Sequence, residues 1–380
     1  SIADQARTGL IQNGMIRLLK KYHQKRNEVI GGASVLSILA SILLIPIVLF
    51  IWNVYGLKET INLEDFLLIG ACFGIGFMVQ AYLRVRESIL ISDLRFDLLF
   101  LVKLSCGLSL FLGVLMIPDP ELITLVGIQV FSQFVGLLVI LFFPKATFRW
   151  DQPIFLELFQ YGRFVMGTNL GSMIYNKMDV LVLGSMIGPI AVGLYNAASR
   201  ITNFVEVPLS SKAQVVFPQL AKSAAQNNFN QLVQQYELGL GKVLSILTPL
   251  CLLIIVFAKP ILSLVAGPEY AAGSMILQVL SLSVLIKPWG RFFGITLDAI
   301  NRPNLNFYFL LLWMVLNLLL NVLLIPIFGS IGVAIATLIC VGCSAIIGQY
   351  ILIKIIPISP KRVLQLGVNT IYKNINSKSL

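Results

Sequence analysis

Ionisable side chains within two long apolar stretches are the residues of this sequence best placed to do chemistry. Lys177 and Asp179 lie within residues 164–187, and Arg200 lies within residues 190–211. If these stretches cross a membrane, each charge costs several kcal/mol unless it is paired or hydrated. Charges kept at such a cost are expected to mark a ligand site. The excess of positive charge favours an anion, and an arginine suits the geometry of phosphate.

Polar side chains recur around these charges at the spacing of a helix. The two sets are Asn169, Ser172, Asn176 and Asp179 in the first stretch, and Asn196, Arg200, Asn203 and Glu206 in the second. Spacings of three and four place each set on one helical face. The stretches are consecutive and hence antiparallel, and the three charges all fall roughly 12–16 Å from the outer ends. We interpret them as the wall of a water-filled cavity; the alternative is a structural ion pair between Asp179 and Arg200.

A third polar face runs along residues 270–297. Its members are Ser283, Lys287, Arg291, Gly294 and Asp298. Lys287 and Arg291 predict a cationic lining in the cytoplasmic half, with snorkelling of both side chains as the alternative. Asn317 and Asn321 are four residues apart and favour hydrogen bonds between helices over sugar binding. The predicted cavity-lining set is Asn176, Lys177, Asp179, Asn196, Arg200, Asn203, Lys287 and Arg291.

The elements that must position these residues follow from composition. Hydrophobic residues make up 57% of the 380 residues and charged residues 12%, about half the charged fraction usual in a soluble domain. A membrane helix needs about 20 mostly apolar residues. The segments that meet this test are 30–53, 66–83, 97–116, 122–143, 164–187, 190–211, 243–266, 270–297, 305–327 and 331–353. The sequence therefore predicts an all-α, polytopic membrane protein of about ten transmembrane helices.

The distribution of Lys and Arg predicts how these segments are oriented. With a cytoplasmic amino terminus, most of the 28 Lys and Arg residues fall in cytoplasmic segments, whereas Lys58 and Lys259 fall on the outer side. This bias indicates that both termini are cytoplasmic. It also accounts for the net charge of +11 without a nucleic-acid partner.

The segments between the spans are short apart from a few cytoplasmic stretches. Residues 12–28, 149–163 and 222–240 are amphipathic and are predicted to lie along the inner membrane surface, although 222–240 fits a solvated linker equally well. The polar, basic tail, 358–380, is predicted to be mobile. The predicted domains are an amino-terminal lobe of residues 1–148, a carboxy-terminal lobe of residues 149–357, and this tail.

Signatures of catalysis and of cofactor binding are missing from the sequence. The run Gly239-Leu-Gly241-Lys242 lacks the glycine spacing and the Ser/Thr of a phosphate-binding loop. His23 is the single histidine, which argues against a His-dependent active site. The cysteines form no metal-ligating pattern with it. The sequence predicts a protein that is not an enzyme and needs no metal or cofactor.

Several runs in the middle of the chain resemble a known family. They are Tyr161-Gly-Arg-Phe-Val-Met-Gly-Thr-Asn-Leu-Gly-Ser-Met-Ile-Tyr-Asn-Lys-Met-Asp179, Gly188-Pro-Ile-Ala-Val-Gly-Leu-Tyr-Asn-Ala-Ala-Ser-Arg200, Val207-Pro208 through Phe217-Pro218, and Asp298-Ala-Ile-Asn-Arg-Pro303. They are similar to the second lobe of Wzx-type flippases, which belong to the multidrug/oligosaccharidyl-lipid/polysaccharide exporter superfamily and export O-antigen and related repeat units. The resemblance covers most of the chain and is densest over residues 155–305.

The resemblance implies a fold of two six-helix lobes that face each other in a V and rock to give alternating access. The fifth predicted span matches the family's seventh helix. Four predicted helices therefore stand where the family has six, and the first two family helices are expected to be absent. Residues 1–18 are interpreted as a remnant of the second.

The resemblance also implies a substrate, an oligosaccharide carried on undecaprenyl diphosphate in the bacterial inner membrane. Arg200, Lys177 and Lys287 would hold the diphosphate and Asp179 would tune them; the resemblance itself supports Asp179 and Arg200. The lipid tail would remain in the membrane lipid, and a polysaccharide polymerase is a candidate partner.

Three other functions are compatible with parts of this pattern. A multidrug or cation antiporter of the same fold would need more deep carboxylates than the two present, Asp179 and Glu206. A lipid II flippase would look similar at this level. A membrane glycan polymerase or ligase would be expected to carry a long outer loop.

Overall fold

A computed structural model describes residues 2–54, 63–117, 121–143 and 147–376, and every regular element in these ranges is helical. The helices are α1 (Ile2–Lys21), α2 (Arg26–Val54), α3 (Leu63–Ser92), α4 (Phe96–Met116), α5 (Leu122–Leu141), α6 (Gln152–Met186), α7 (Pro189–Val205), α8 (Val207–Ala225), α9 (Phe229–Val256), α10 (Ala258–Val265), α11 (Ser274–Ala299), α12 (Pro303–Phe328), α13 (Ser330–Ile355) and α14 (Pro360–Asn376). A short 3-10 helix, Pro268–Gly273, precedes α11.

Eight of the described helices are long and apolar enough to cross a membrane, which confirms an all-α, multi-pass membrane protein. They are α2, α3, α4, α5, α9, α11, α12 and α13. The other two predicted spans fall in α6 and α7, the helices that carry Lys177, Asp179 and Arg200. Both helices are too polar to be counted among the eight apolar helices. Helix α7 is also short, with 17 residues.

The predicted span 190–211 is not one continuous helix. The helical run is interrupted at Glu206, which ends α7 and begins α8. Pro208 follows at the start of α8. Because proline has no amide hydrogen to donate to the preceding turn, it favours a helix start at this point. The predicted span 190–211 therefore falls on two successive helices, α7 and α8, and its crossing of the membrane stays a prediction.

The chain packs as two compact units, residues 1–167 (unit 1) and 168–380 (unit 2), which divide within α6. In unit 1, α1 packs against α2 and α3. Met15 and Leu18 of α1 and Leu158 of α6 are fully buried in one hydrophobic core. Among the described residues five helices therefore precede α6, where the sequence predicted four, and residues 2–18 belong to a helix of the bundle. The lobe boundary after residue 148 remains a prediction.

The amphipathic stretches predicted at the membrane surface are parts of bundle helices. Residues 12–28 and 149–163 supply Met15 and Leu158 to the core of unit 1, and residues 222–240 supply Leu232 to the interior of unit 2. An apolar face can be covered by lipid or by other helices, and here other helices cover it. The prediction of surface helices was wrong for these residues.

The carboxy-terminal segment is helical through Asn376. Helix α14 packs on α9, and Val363 is fully buried there. A Cβ on Gly241 would lie 3.0 Å from the carbonyl oxygen of Val363, so glycine at this position allows the close approach of the two helices. The predicted mobile tail was wrong for 360–376; residues 377–380 lie outside the described ranges.

A polar cluster holds the end of α1 to the start of α6 in unit 1. Glu157 accepts hydrogen bonds from Lys21 Nζ at 2.8 Å and from the Tyr22 hydroxyl at 3.0 Å. Burial alone would raise the pKa of Glu157, but these hydrogen bonds and the positive charges of Lys21 and Arg17 outweigh it and hold the pKa below its ordinary value. The folded state therefore favours the ionised carboxylate.

Replacing Glu157 with glutamine is expected to lower the free energy of unfolding by about 1 kcal/mol at neutral pH. Because its folded pKa is lowered, the contribution of Glu157 is present above the unfolded value of 4.5 and is lost as pH falls through the folded pKa. Denaturant unfolding in detergent at neutral and acidic pH measures the difference. Glu121→Gln, which removes an exposed carboxylate, is the control. An equal loss at both pH values would point to packing instead of charge.

Candidate functional site

Asp179 is the centre of a buried hydrogen-bond network in unit 2. Its Oδ2 accepts from the Tyr195 hydroxyl at 2.7 Å and from Thr337 Oγ1 at 2.9 Å, and its Oδ1 accepts from Asn321 Nδ2 at 2.8 Å. Asn321 also donates to Asn317 Oδ1 at 3.2 Å. These contacts join α6, α7, α12 and α13 around a carboxylate that is 7% exposed.

The partners of Asp179 differ from those the sequence suggested. Neither Arg200 nor Lys177 contacts it, so the alternative of an Asp179–Arg200 ion pair was wrong. Residues two apart on a helix point in nearly opposite directions. Asp179 accordingly faces the interior of the unit while Lys177 is exposed. That Asp179 shares a cavity with the cations stays a prediction, whereas the helix-joining role of Asn321 is confirmed.

Sequence reasoning missed two members of this network. A signal existed for Tyr195, because Ala191, Tyr195, Ala198 and Thr202 recur at spacings of four, three and four and form the buried face of α7. No such signal existed for Thr337. A single hydroxyl within an apolar helix has no pattern that distinguishes a network member from a residue that bonds its own backbone.

The opposite face of α7 is open and carries polar residues beside Phe204, which is 80% exposed. Arg200 and Asn203 are exposed, and Asn196 is half-buried beside them. Neither Arg200 nor Lys177 of α6 forms an ion pair or a side-chain hydrogen bond within the described part of the chain, and Asn176 of α6 is also exposed. Unit 2 therefore keeps two charged groups free on helices whose other faces are packed. That both line one cavity stays a prediction.

The structure brings α7 and α11 together through Lys287. Its Nζ donates to Glu206 Oε1 at 2.5 Å, and the two side chains are 32% and 21% exposed. The sequence placed both residues on polar faces but did not pair them. Arg291 lies one turn further along α11 and is exposed. Asp298, at the end of that helix, is buried and accepts a hydrogen bond from Asn306 Nδ2 at 3.1 Å.

These positions divide the predicted site into two chemical classes. Asp179 accepts hydrogen bonds from three neutral donors in the interior of unit 2. Lys177, Arg200 and Arg291 are accessible cations, and Lys287 is a cation paired with Glu206. Accessible guanidinium and ammonium groups bind phosphate, and neighbouring amides such as Asn203 can bond sugar hydroxyls. Within the ranges the structure describes, His, Cys and carboxylates form no group of three that could hold a metal.

Residues 11–275 match the family described as polysaccharide biosynthesis protein. The chain belongs to this family. The match includes α6 and α7 with Lys177, Asp179 and Arg200. The resemblance to polysaccharide exporters seen in the sequence is thus confirmed at the level of the family.

Named relatives of this polysaccharide biosynthesis protein include two from Haloferax volcanii. The chain is 25% identical over 324 residues to the probable low-salt glycan biosynthesis flippase Agl15, which aligns over 83% of this chain and 67% of the relative. It is 26% identical to the probable flippase AglR over 54% of this chain and 44% of the relative. The chain therefore spans about two thirds of the length of Agl15 and less than half of the length of AglR.

The fold of the chain is similar to that of a multidrug resistance transporter. It superposes on the outward-facing conformation of a MATE family transporter with a TM-score of 0.77. The match covers 91% of this chain and 83% of the transporter at 17% identity. At that identity the likeness shows the architecture and carries no information on the substrate.

Proposed function

We propose that this polysaccharide biosynthesis protein is a flippase that moves a lipid-linked oligosaccharide across the membrane. The observation that carries the proposal is the open cationic face of α7 and its neighbours in unit 2, with Arg200 and Lys177 accessible and unpaired among the described residues. Unpaired cations on membrane-embedded helices are costly unless a ligand or water meets them. The names of the Haloferax relatives, both probable flippases, support the same function.

The proposed substrate is an oligosaccharide on a polyprenyl diphosphate such as undecaprenyl diphosphate. Arg200 would bind a phosphate through two parallel N–H groups, and Lys177 would add a point charge. Glu206 neutralises Lys287 when no substrate is bound, and an incoming phosphate would compete for the ammonium group. The amides of Asn196 and Asn203 flank Arg200 along α7 and would meet the first sugars, while Arg291 and Asn176 would extend the polar surface.

Transport would follow alternating access in the plasma membrane, with both termini in the cytoplasm and membrane lipid around the polyprenyl tail. A polysaccharide polymerase would be the natural recipient of the exported unit. For this proposed cycle the chain needs no catalytic group, because moving an intact glycolipid breaks no covalent bond. The driving force would come from an ion gradient or from consumption of the product.

The acids of unit 2 argue against a cation antiporter of this fold. Such a transporter needs a carboxylate that is free to exchange a proton or sodium ion. Asp179 accepts three hydrogen bonds from neutral donors, Glu206 is bonded to Lys287, and Glu237 accepts the Ser359 amide and lies 3.6 Å from Arg362. Each of these three carboxylates is therefore already engaged.

Reconstitution in proteoliposomes tests the proposed function. Vesicles would carry a fluorescent polyprenyl-diphosphate oligosaccharide, and a membrane-impermeant quencher would report its movement between leaflets. Protein-dependent movement is expected, at a rate well above that of the same lipid bearing a neutral headgroup. A parallel assay with fluorescent lipid II as substrate distinguishes the proposed activity from that of a lipid II flippase. Equal rates for charged and neutral headgroups, or proton-coupled uptake of a cationic dye instead, would overturn the proposal.

A further inference from the structure

A cluster of arginine residues lies around a cavity within unit 1. A cavity of about 340 Å³ opens where the start of α2, the end of α3, the start of α4 and the end of α5 come together. The charged residues of its lining are Arg26, Arg86, Asp93 and Arg95. Its remaining walls are largely apolar and include Leu90 and Leu98.

Arg86 is the buried member among the charged residues of this lining. Its side chain belongs to a residue only 5% exposed, yet it lines the cavity. Its Nη2 donates to the carbonyl oxygens of Ile140 and Phe143, at 3.3 and 3.2 Å, and so caps the end of α5. No carboxylate in the described ranges bonds to Arg86. A buried guanidinium without an acid is stabilised by an anion that reaches its remaining N–H groups.

The other charges of the lining lie at the ends of α3 and α4. Arg26 bonds both carboxylate oxygens of Asp93, at 3.1 and 2.5 Å. Arg95 bonds Asp97, which is not part of the lining. The tight turn between the two helices, with Leu94 at φ +58°, fixes Asp93 and Arg95 beside each other. The lining thus carries three guanidinium groups against a single carboxylate.

The combination of cations with apolar walls selects an amphiphilic anion. A phosphate suits the guanidinium groups, and Leu90 and Leu98 suit the first carbons of an acyl chain. The positive-inside pattern predicts that this end of the helices lies on the cytoplasmic side, where basic pockets between membrane helices bind lipid headgroups. A cavity of about 340 Å³ accommodates a headgroup and not a whole lipid.

We propose that this cavity binds the phosphodiester headgroup of an anionic phospholipid of the inner leaflet. The buried Arg86 binds the phosphate inside the cavity, and Arg95 and Arg26 bind it at the cavity opening. Because residues of α2, α3, α4 and α5 line the site, a bound headgroup stabilises the packing of these four helices in unit 1. A free inorganic phosphate has the same charged chemistry but cannot use the apolar walls.

Lipid titration of the detergent-purified protein tests this assignment. Thermal stability and native mass spectrometry are followed as phosphatidylglycerol, phosphatidylcholine or inorganic phosphate is added. Phosphatidylglycerol is expected to stabilise the protein and to remain bound, with an apparent affinity at least tenfold above that of phosphatidylcholine. Equal effects of the two lipids would overturn the proposal. So would equal effects of phosphate and phosphatidylglycerol, which would indicate a free-anion site.

Variants separate ligand binding from folding. Arg86→Gln is expected to weaken phosphatidylglycerol binding by tenfold or more, but it also removes the cap of α5. Arg95→Gln, at an exposed position, is expected to weaken binding about threefold without loss of fold. Asp93→Asn frees Arg26 and is expected to tighten binding, a change of sign that a merely structural role would not produce. Arg163→Gln, an exposed arginine of unit 1 outside the lining, is the matched control. Unchanged binding in both Arg95→Gln and Asp93→Asn would refute the site.

Discussion

Replacing Asp179 with alanine is expected to lower the stability of unit 2 by about 3 kcal/mol. The substitution leaves the Tyr195 hydroxyl, the Thr337 hydroxyl and the Asn321 amide without the acceptor they share. A buried donor left unsatisfied costs about 1–3 kcal/mol, and hydrogen bonds between membrane helices lie toward the low end of that range. The lost hydrogen bonds join four helices, so the substitution is expected to reduce transport as well.

Unfolding in detergent, followed by thermal and denaturant titration, measures this loss. Asn176→Ala, one turn earlier on α6 and exposed, removes a polar group of similar size and is expected to change stability by less than about 0.5 kcal/mol. Asp179→Asn keeps one acceptor oxygen, and the two hydroxyl partners can rotate to accept from its amide, so an intermediate effect is expected. If Asp179→Ala unfolded like the unmodified protein while transport ceased, Asp179 would be a transport residue and the packing role assigned here would be wrong.

Replacing Arg200 with glutamine is expected to slow glycolipid transport at least tenfold while leaving stability unchanged. Arg200 is exposed and bonds no other residue in the described ranges, so no folded contact is lost. A hydrogen bond to a charged partner is worth about 1.5–3 kcal/mol, and a tenfold change corresponds to about 1.4 kcal/mol. Arg200→Lys keeps the charge but loses the two-pronged geometry, so a smaller reduction is expected.

The proteoliposome assay and an unfolding measurement on the same preparations check this expectation. Lys259→Gln removes an exposed cation from unit 2 at a position outside the proposed site and is expected to transport normally. Lys177→Gln is expected to slow transport less than Arg200→Gln does. An ammonium group supplies a positive charge but not the two parallel N–H donors of a guanidinium group. Full transport by a doubly substituted Lys177→Gln, Arg200→Gln protein would remove the basis for the proposed phosphate site.

The helical architecture was largely predictable because a membrane restricts the choice of structure. In lipid every backbone amide and carbonyl must be paired within the segment, so a long apolar run is a helix. The predicted spans 97–116 and 331–353 lie close to the observed helices Phe96–Met116 and Ser330–Ile355. Amphipathic segments were predicted less well. Their pattern shows that one face is apolar, but the pattern is the same whether lipid or another helix covers that face.

The sequence by itself determined that this chain is a bundle of membrane helices and that a few charges lie deep within it. Only the tertiary structure decided which of those charges are neutralised. Glu206 and Lys287 are 81 residues apart, and Asp179 and Thr337 are 158 apart. Helical periodicity relates residues within a turn or two of each other, whereas the pairing of distant side chains depends on how helices pack. Asp179 therefore became part of the core, while Arg200, one helix later, remained open to a ligand.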